Sequence, residues 1–240
     1  MSSIESGKKW AGAADLQAAI VDLDGTMVDT LGDFAVALDL MLDDLGLPHI
    51  ESAAIETMVG KGSEHLIRCV LHHVRGQEAD VALAHAAWQS YSRHYLEING
   101  RHSSVYPGVV EGLRALRARG LRLACLTNKP GDFARPLLAA KGLDGYFDLV
   151  FGGDAFARKK PDPLPLLKTC EALGTHPQRT LMVGDSSNDA QAARAAHCPV
   201  LLVSYGYNHG EPVHGVDVDG VIDSLAELAQ TMPSSASLSL

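Results

Sequence analysis

Aromatic side chains are scarce, at 5% of the 240 residues against 46% for all hydrophobic residues. The core must therefore be packed from aliphatic side chains and alanine, which favours helices. No apolar run approaches the roughly 18 residues needed to cross a bilayer, which excludes a helical membrane span. Positive charge is in deficit: 20 Lys and Arg face 29 Asp and Glu, for a net charge of −9. Such a field argues against nucleic acid as a partner. An anionic ligand would need local positive charge, from a metal or a placed lysine, to overcome it. Cysteine is sparse as well. Cys69, Cys125, Cys170 and Cys198 stand far apart with no C-x-x-C pair, so reduced buried thiols are expected rather than a zinc site or a disulfide framework. No apolar segment of the signal-peptide kind follows Lys8, Lys9 and Trp10, and a cytoplasmic location is expected.

What is present centres on Ala18 to Asp29, A-A-I-V-D-L-D-G-T-M-V-D. Ala18–Val21 is short, apolar and long enough for a buried strand. Asp22 and Asp24 follow at its C-terminal end, where open α/β sheets bind ligands. Strand alternation would point the two carboxylates apart, so the chain must bend to aim both at one site, and Gly25 permits the bend. Like charges that close call for a cation or a shared proton. A divalent metal, with one carboxylate as nucleophile and the other as acid/base, is the simplest arrangement.

After Asp29 the pattern is helical. Leu31, Phe34, Leu38, Met41, Leu42 and Leu45 recur at helical spacing, and helices are expected over 52–59, 64–74 and 77–98. This block, 30–101, reads as an all-helical cap inserted directly after the first motif, where it would overhang the site. From Tyr106 onward strands and helices alternate, with strands expected at 121–127, 147–151, 180–183 and 200–203 and a last helix at 224–230. The expected fold is α/β, a Rossmann-like parallel sheet core (17–29 and 102–232) carrying the helical cap. Residues 1–16 and 233–240 read as loose tails.

Several strand ends carry polar residues that a parallel sheet gathers on one edge: Asp22 and Asp24, then Thr127 and Asn128, then Gly184-Asp185-Ser186-Ser187-Asn188-Asp189. Lys160, in the loop Lys159-Lys160-Pro161-Asp162-Pro163, falls between them. Carboxylates, a hydroxyl and a lysine around one pocket suit a hard cation and a phosphoryl group. In the cap, Gly60-Lys61-Gly62 is a short cationic turn whose backbone could approach a ligand, with Arg68 a weaker candidate beside it.

D-L-D-G-T (22–26), T-N (127–128), K-P-D-P (160–163) and G-D-S-S-N-D (184–189) resemble, in order and separation, the four motifs of the haloacid dehalogenase superfamily. V-G-K-G (59–62), T-N-K-P (127–130) and Y-G-Y-N-H-G (205–210) bring the chain nearest to the phosphoglycolate phosphatases within it. The resemblance implies that Asp22 is the nucleophile and that Asp24 serves as acid and then base. It implies that Thr127 and Lys160 bind phosphoryl oxygens, and that Mg²⁺ is held by Asp22, Asp24 through its carbonyl, and Asp185, with Asp189 supporting. Asn128, Gly60 and Lys61 are expected to touch the substrate, a small anionic phosphate monoester, which the resemblance implies is 2-phosphoglycolate. A monomer or homodimer is expected. His197 stands where relatives usually have glycine. A sugar phosphomutase shares the Asp pair and cap and is the nearest alternative. A non-catalytic phospholigand-binding module would be expected to lack one of Asp22, Asp24, Lys160 or Asp185, and all four are present.

Overall fold

The computed structural model describes residues 15–231. Of the two ends expected to be loose, 1–14 and 232–240 lie outside the described residues. Apolar Ala18–Val21, with β-branched Ile20 and Val21 at its end, forms β1, and Val28–Asp29 forms a two-residue β2. Four helices follow: α1 (Leu31–Asp44), α2 (Ser52–Met58), α3 (Ser63–Arg75) and α4 (Val81–Ile98). Then come β3 (Ser104–Val105), α5 (Val109–Ala118), β4 (Arg122–Leu126), α6 (Gly131–Ala140), β5 (Leu149–Phe151) and α7 (Leu164–Leu173). The chain closes with β6 (Thr180–Gly184), α8 (Ser187–Ala195), β7 (Val200–Val203), β8 (Gly220–Ile222) and α9 (Leu225–Thr231).

Six strands form one sheet in the order β5-β4-β1-β6-β7-β8, every pair parallel. β1 lies in its middle, and its side chains alternate between two cores. Ala19 and Val21 pack with α5, α6 and α9, while Ala18 and Ile20 pack with α7 and α8. All the C-terminal strand ends therefore share one edge, with Asp22 and Asp24 at its centre. β2 and β3 pair antiparallel, joining the strand on which the chain leaves for the helices to the one on which it returns. The four helices between them build a third core from Leu38, Met41, Tyr91, Tyr95 and neighbours, and Phe133 and Tyr207 from the sheet side enter that same core.

The α/β alternation is as the sequence predicts, with local differences. The helix expected from Gln77 begins at Val81, because Asp80 caps it by accepting from the Leu83 amide at 2.8 Å and Gly76 ends α3 in the left-handed region at φ 68°. β2, β3 and β8 span two or three residues each, too few to show a period. His197 adopts φ 60° two residues past the end of α8, just after its cap Ala196. There its amide reaches the Arg194 carbonyl at 3.0 Å and the Cys198 amide reaches that of Ala193 at 2.8 Å. This is the Schellman closure that glycine favours, and a Cβ there costs on the order of 1 kcal/mol. His197→Gly is expected to raise the unfolding free energy by about that much. A urea titration showing a clear loss instead would mean that the imidazole makes a contact worth more than the strain.

Candidate active site

Asp22 leaves β1 with its amide on the Val183 carbonyl at 2.9 Å, so the sheet itself positions the first carboxylate. Its Oδ1 accepts from the Leu23 amide at 2.8 Å and faces Lys160 Nζ at 3.1 Å. The backbone then bends. The amides of Met27 and Val28 both return to the Leu23 carbonyl, Gly25 turns at φ 79°, and Asp24 bridges to Val28. Gly25 is required twice over, since a Cβ on it would strike the Asp185 carboxylate and the Tyr207 ring.

Lys160 is buried, and its three ammonium protons have three acceptors: Asp189 at 2.7 Å, Asp22 at 3.1 Å and the Leu126 carbonyl at 2.9 Å. Burial alone would lower its pKa, but the Asp189 and Asp22 charges outweigh this and raise it, so it stays an ammonium. Asp189 has two tasks. One oxygen holds Lys160; the other accepts from the Ser186 hydroxyl at 2.9 Å and the Ser186 amide at 3.2 Å, closing a capping box at the start of α8. Asp185 accepts from the Tyr207 amide at 2.8 Å and from the Thr26 hydroxyl at 3.4 Å.

One carboxylate oxygen each from Asp22, Asp185 and Asp189 lies within 4.8 Å of the others. Burial first, with help from the neighbouring carboxylates, pushes Asp22 up to about 7 against the downward pull of Lys160. The same causes raise Asp185 well above the ordinary carboxylate range. Three buried carboxylates against one ammonium leave negative charge unmatched. An all-oxygen donor set with that surplus fits a hard divalent cation.

The mouth of the site is lined by Asp22, Asp24, Thr127, Asn128, Lys129 and Gly60, under an apolar roof of Phe34, Val59 and Leu66 from the helical insert. Thr127 Oγ1 accepts from the Lys129 amide at 3.2 Å, which leaves its own proton free to donate into the pocket. Asn128 reaches the rim, but its amide group is occupied. It donates to the carbonyls of Gly60 at 2.9 Å and Lys160 at 2.8 Å, and it accepts from the Lys160 amide at 3.0 Å. It therefore ties the insert to the loop that carries Lys160. Gly60, at φ 114°, also receives Asn188 at 3.2 Å, and a Cβ there would lie 2.8 Å from His209.

Lys61 is exposed and is not among the lining residues. It stands by His65 and His209, both of which burial and then the Lys61 charge hold below their ordinary pKa. Arg68 is also exposed and lies along a separate groove on the insert. The residue that sequence reasoning missed is Lys129. Its ammonium pairs with both oxygens of Asp24, at 3.0 and 3.3 Å. The motif T-N-K-P contained it, but nothing local marks it as a site residue, because its partner is 105 positions away.

A family model described as haloacid dehalogenase-like hydrolase matches residues 19–203. The phosphoglycolate phosphatase of Thiobacillus denitrificans is 48% identical over 89% of this chain and 94% of its own. That of Nitrosospira multiformis is 45% identical over 92% and 97%. The crystal structure of a predicted phosphoglycolate phosphatase from Haemophilus somnus superposes with a TM-score of 0.88 at 32% identity, covering 92% of this chain and 99% of that one.

Proposed function

The chain belongs to the haloacid dehalogenase-like hydrolase family and is a phosphoric monoester hydrolase, and from that premise we propose that it hydrolyses 2-phosphoglycolate to glycolate and phosphate through an aspartyl-phosphate on Asp22. The observation that carries this reading is the pairing of two carboxylates with different environments at the rim of one pocket. Their side chains are equally exposed, at 12%, but Asp22 stands on Lys160 within the Asp185 and Asp189 cluster, whereas Asp24 takes both hydrogen bonds of Lys129. Such a division suits one as nucleophile and the other as proton carrier.

Asp22 attacks the phosphorus, and the bond from phosphorus to the ester oxygen breaks. Asp24 gives its proton to the departing glycolate oxygen. As a carboxylate it then takes a proton from the water that attacks the acyl phosphate, which restores Asp22 and releases phosphate. The Thr127 hydroxyl binds a phosphoryl oxygen during both steps, while the Lys160 ammonium, its protons taken by Asp189, Asp22 and the Leu126 carbonyl, offers positive charge beside it. Lys160 also opposes the rise in the Asp22 pKa that burial causes. Mg²⁺, held by Asp22, Asp185 and the Asp24 carbonyl with Asp189 behind them, would supply charge that lets an anionic nucleophile meet an anionic phosphate. Helices α1–α4 act as a cap over this edge, the Gly60–Gly62 turn resting on Asn128, Asn188 and His209.

The low roof of Phe34, Val59 and Leu66 suits a small ester, and the phosphoglycolate phosphatases among the relatives support this substrate. The test is phosphate release from a panel of 2-phosphoglycolate, glycerol phosphate, glucose phosphates and nucleoside monophosphates with Mg²⁺ and with chelator. A kcat/KM preference for 2-phosphoglycolate that disappears with chelator is expected. A preference for a sugar phosphate, or a rate indifferent to chelator, would contradict the proposal.

A further inference from the structure

An ester that carries a carboxylate brings a second negative charge to a pocket already lined by Asp22 and Asp24. Something must receive it. Lys160 has no proton to offer, since all three have acceptors. Lys61 is exposed and off the lining. Lys129 is the one cation among the described residues that line the pocket. Its side chain is only 1% exposed, and the rings of Phe34 and Tyr95 hold the ammonium at 4.4 and 4.6 Å, a contact that fixes it without using hydrogen-bond acceptors. Both of its hydrogen bonds go to Asp24.

The chemistry of the substrate makes this placement informative. In 2-phosphoglycolate the carboxylate carbon lies two bonds from the ester oxygen. Whatever group protonates that oxygen is adjacent to the carboxylate, and the group paired with Asp24 is Lys129. Resting on the 2-phosphoglycolate reading above, we propose that Lys129 is the specificity-determining residue, and that it works by partner exchange. In the resting enzyme it holds Asp24 as a carboxylate; in the complex it turns to the substrate carboxylate, and Asp24, relieved of its cation, takes up from solvent the proton that it then gives to the ester oxygen. Two ring faces, one from α1 and one from α4, keep the ammonium in place through the exchange. Discrimination by this route appears in kcat as well as in KM, because a substrate without the carboxylate leaves Asp24 held on the lysine.

The experiment compares 2-phosphoglycolate with ethyl phosphate, in which a methyl group replaces the carboxylate, for the wild type, Lys129→Gln and Lys129→Arg. The wild type is expected to favour 2-phosphoglycolate in both kcat and KM. Lys129→Gln should reduce that preference by about tenfold or more, the scale of one charge-assisted hydrogen bond, with part of the loss in kcat. Lys129→Arg should restore most of it. Equal losses on the two esters in Lys129→Gln would overturn the proposal and reduce Lys129 to a support for Asp24. A wild type with no preference for the carboxylate would instead overturn the substrate reading on which the proposal rests, so the two failures are distinct. Should Lys129→Gln not fold, product inhibition of the wild type decides. Glycolate is expected to inhibit about tenfold more strongly than glycolamide, and equal inhibition by the two would overturn the proposal.

Discussion

Asp22→Asn is expected to lower kcat on the best substrate by at least about 10³-fold, with no loss of fold. The amide keeps the shape and can still accept from Lys160 and the Leu23 amide, but it cannot form the acyl phosphate. Its effect on stability should have the opposite sign. The Asp22 pKa rises from 3.8 to about 7 on folding, chiefly through burial. A carboxylate whose folded pKa is raised contributes stability that is fully present below its unfolded pKa and lost as pH rises through the folded one. In chelator, wild-type stability at this site should therefore fall between pH 3.8 and about 7, while the asparagine has nothing to ionise. The variant should melt progressively higher than the wild type across that interval, and a divalent cation should narrow the gap by offsetting the ionised carboxylates. Melting curves at several pH values with and without Mg²⁺ read this directly. A variant that melts lower at pH 8 in chelator would show that the buried charge is already compensated within the protein.

Lys160→Met is expected to be the most damaging single substitution for stability. The side chain is 2% exposed and stands between two carboxylates, at 2.7 Å from Asp189 and 3.1 Å from Asp22. Removing it leaves both charges buried without their cation, a loss of about 3–5 kcal/mol. Asp189 would also lose half of what fixes it at the start of α8. Combining Lys160→Met with Asp22→Asn should recover part of the loss, since one of the orphaned charges is gone, and the double-mutant cycle isolates that coupling. Urea unfolding of the four proteins is the measurement. Strict additivity would mean that Lys160 and Asp22 do not depend on each other for their charge.

Much of this arrangement is legible from the chain because the sheet is parallel. A parallel sheet brings every strand's C-terminal residue to one edge, so Asp22, Thr127 and Asp185 converge whatever lies between them. What is not legible depends on contacts between distant parts of the chain. Lys129 reads as one more charged residue before a helix until the fold sets it against Asp24 and between Phe34 and Tyr95. Asp189 reads as either a helix-start acid or a partner of Lys160, and it is both, because a capping box leaves one carboxylate oxygen free. Asn128 and Lys61 carry opposite lessons. Asn128 has the look of a ligand-binding amide, yet the folded chain occupies its donors with Gly60 and Lys160. Lys61 has the right charge in a glycine-flanked turn, yet it is exposed and off the pocket lining. The short β2–β3 ribbon escapes pattern reading because two residues carry no period. The glycine-like backbone at His197 is suggested only by comparison with relatives.

The covalent step at Asp22 can be trapped by removing the group that completes it. Asp24→Asn, mixed with p-nitrophenyl phosphate and Mg²⁺, has a leaving group that departs without a proton but lacks the base for the second step. A burst of nitrophenolate close to one per enzyme should precede slow phosphate release, and the quenched protein should carry a hydroxylamine-labile phosphoryl group on Asp22. Steady release of both products with no burst and no labelled Asp22 would contradict the account, and would leave Asp22 as a charge at the site rather than its nucleophile.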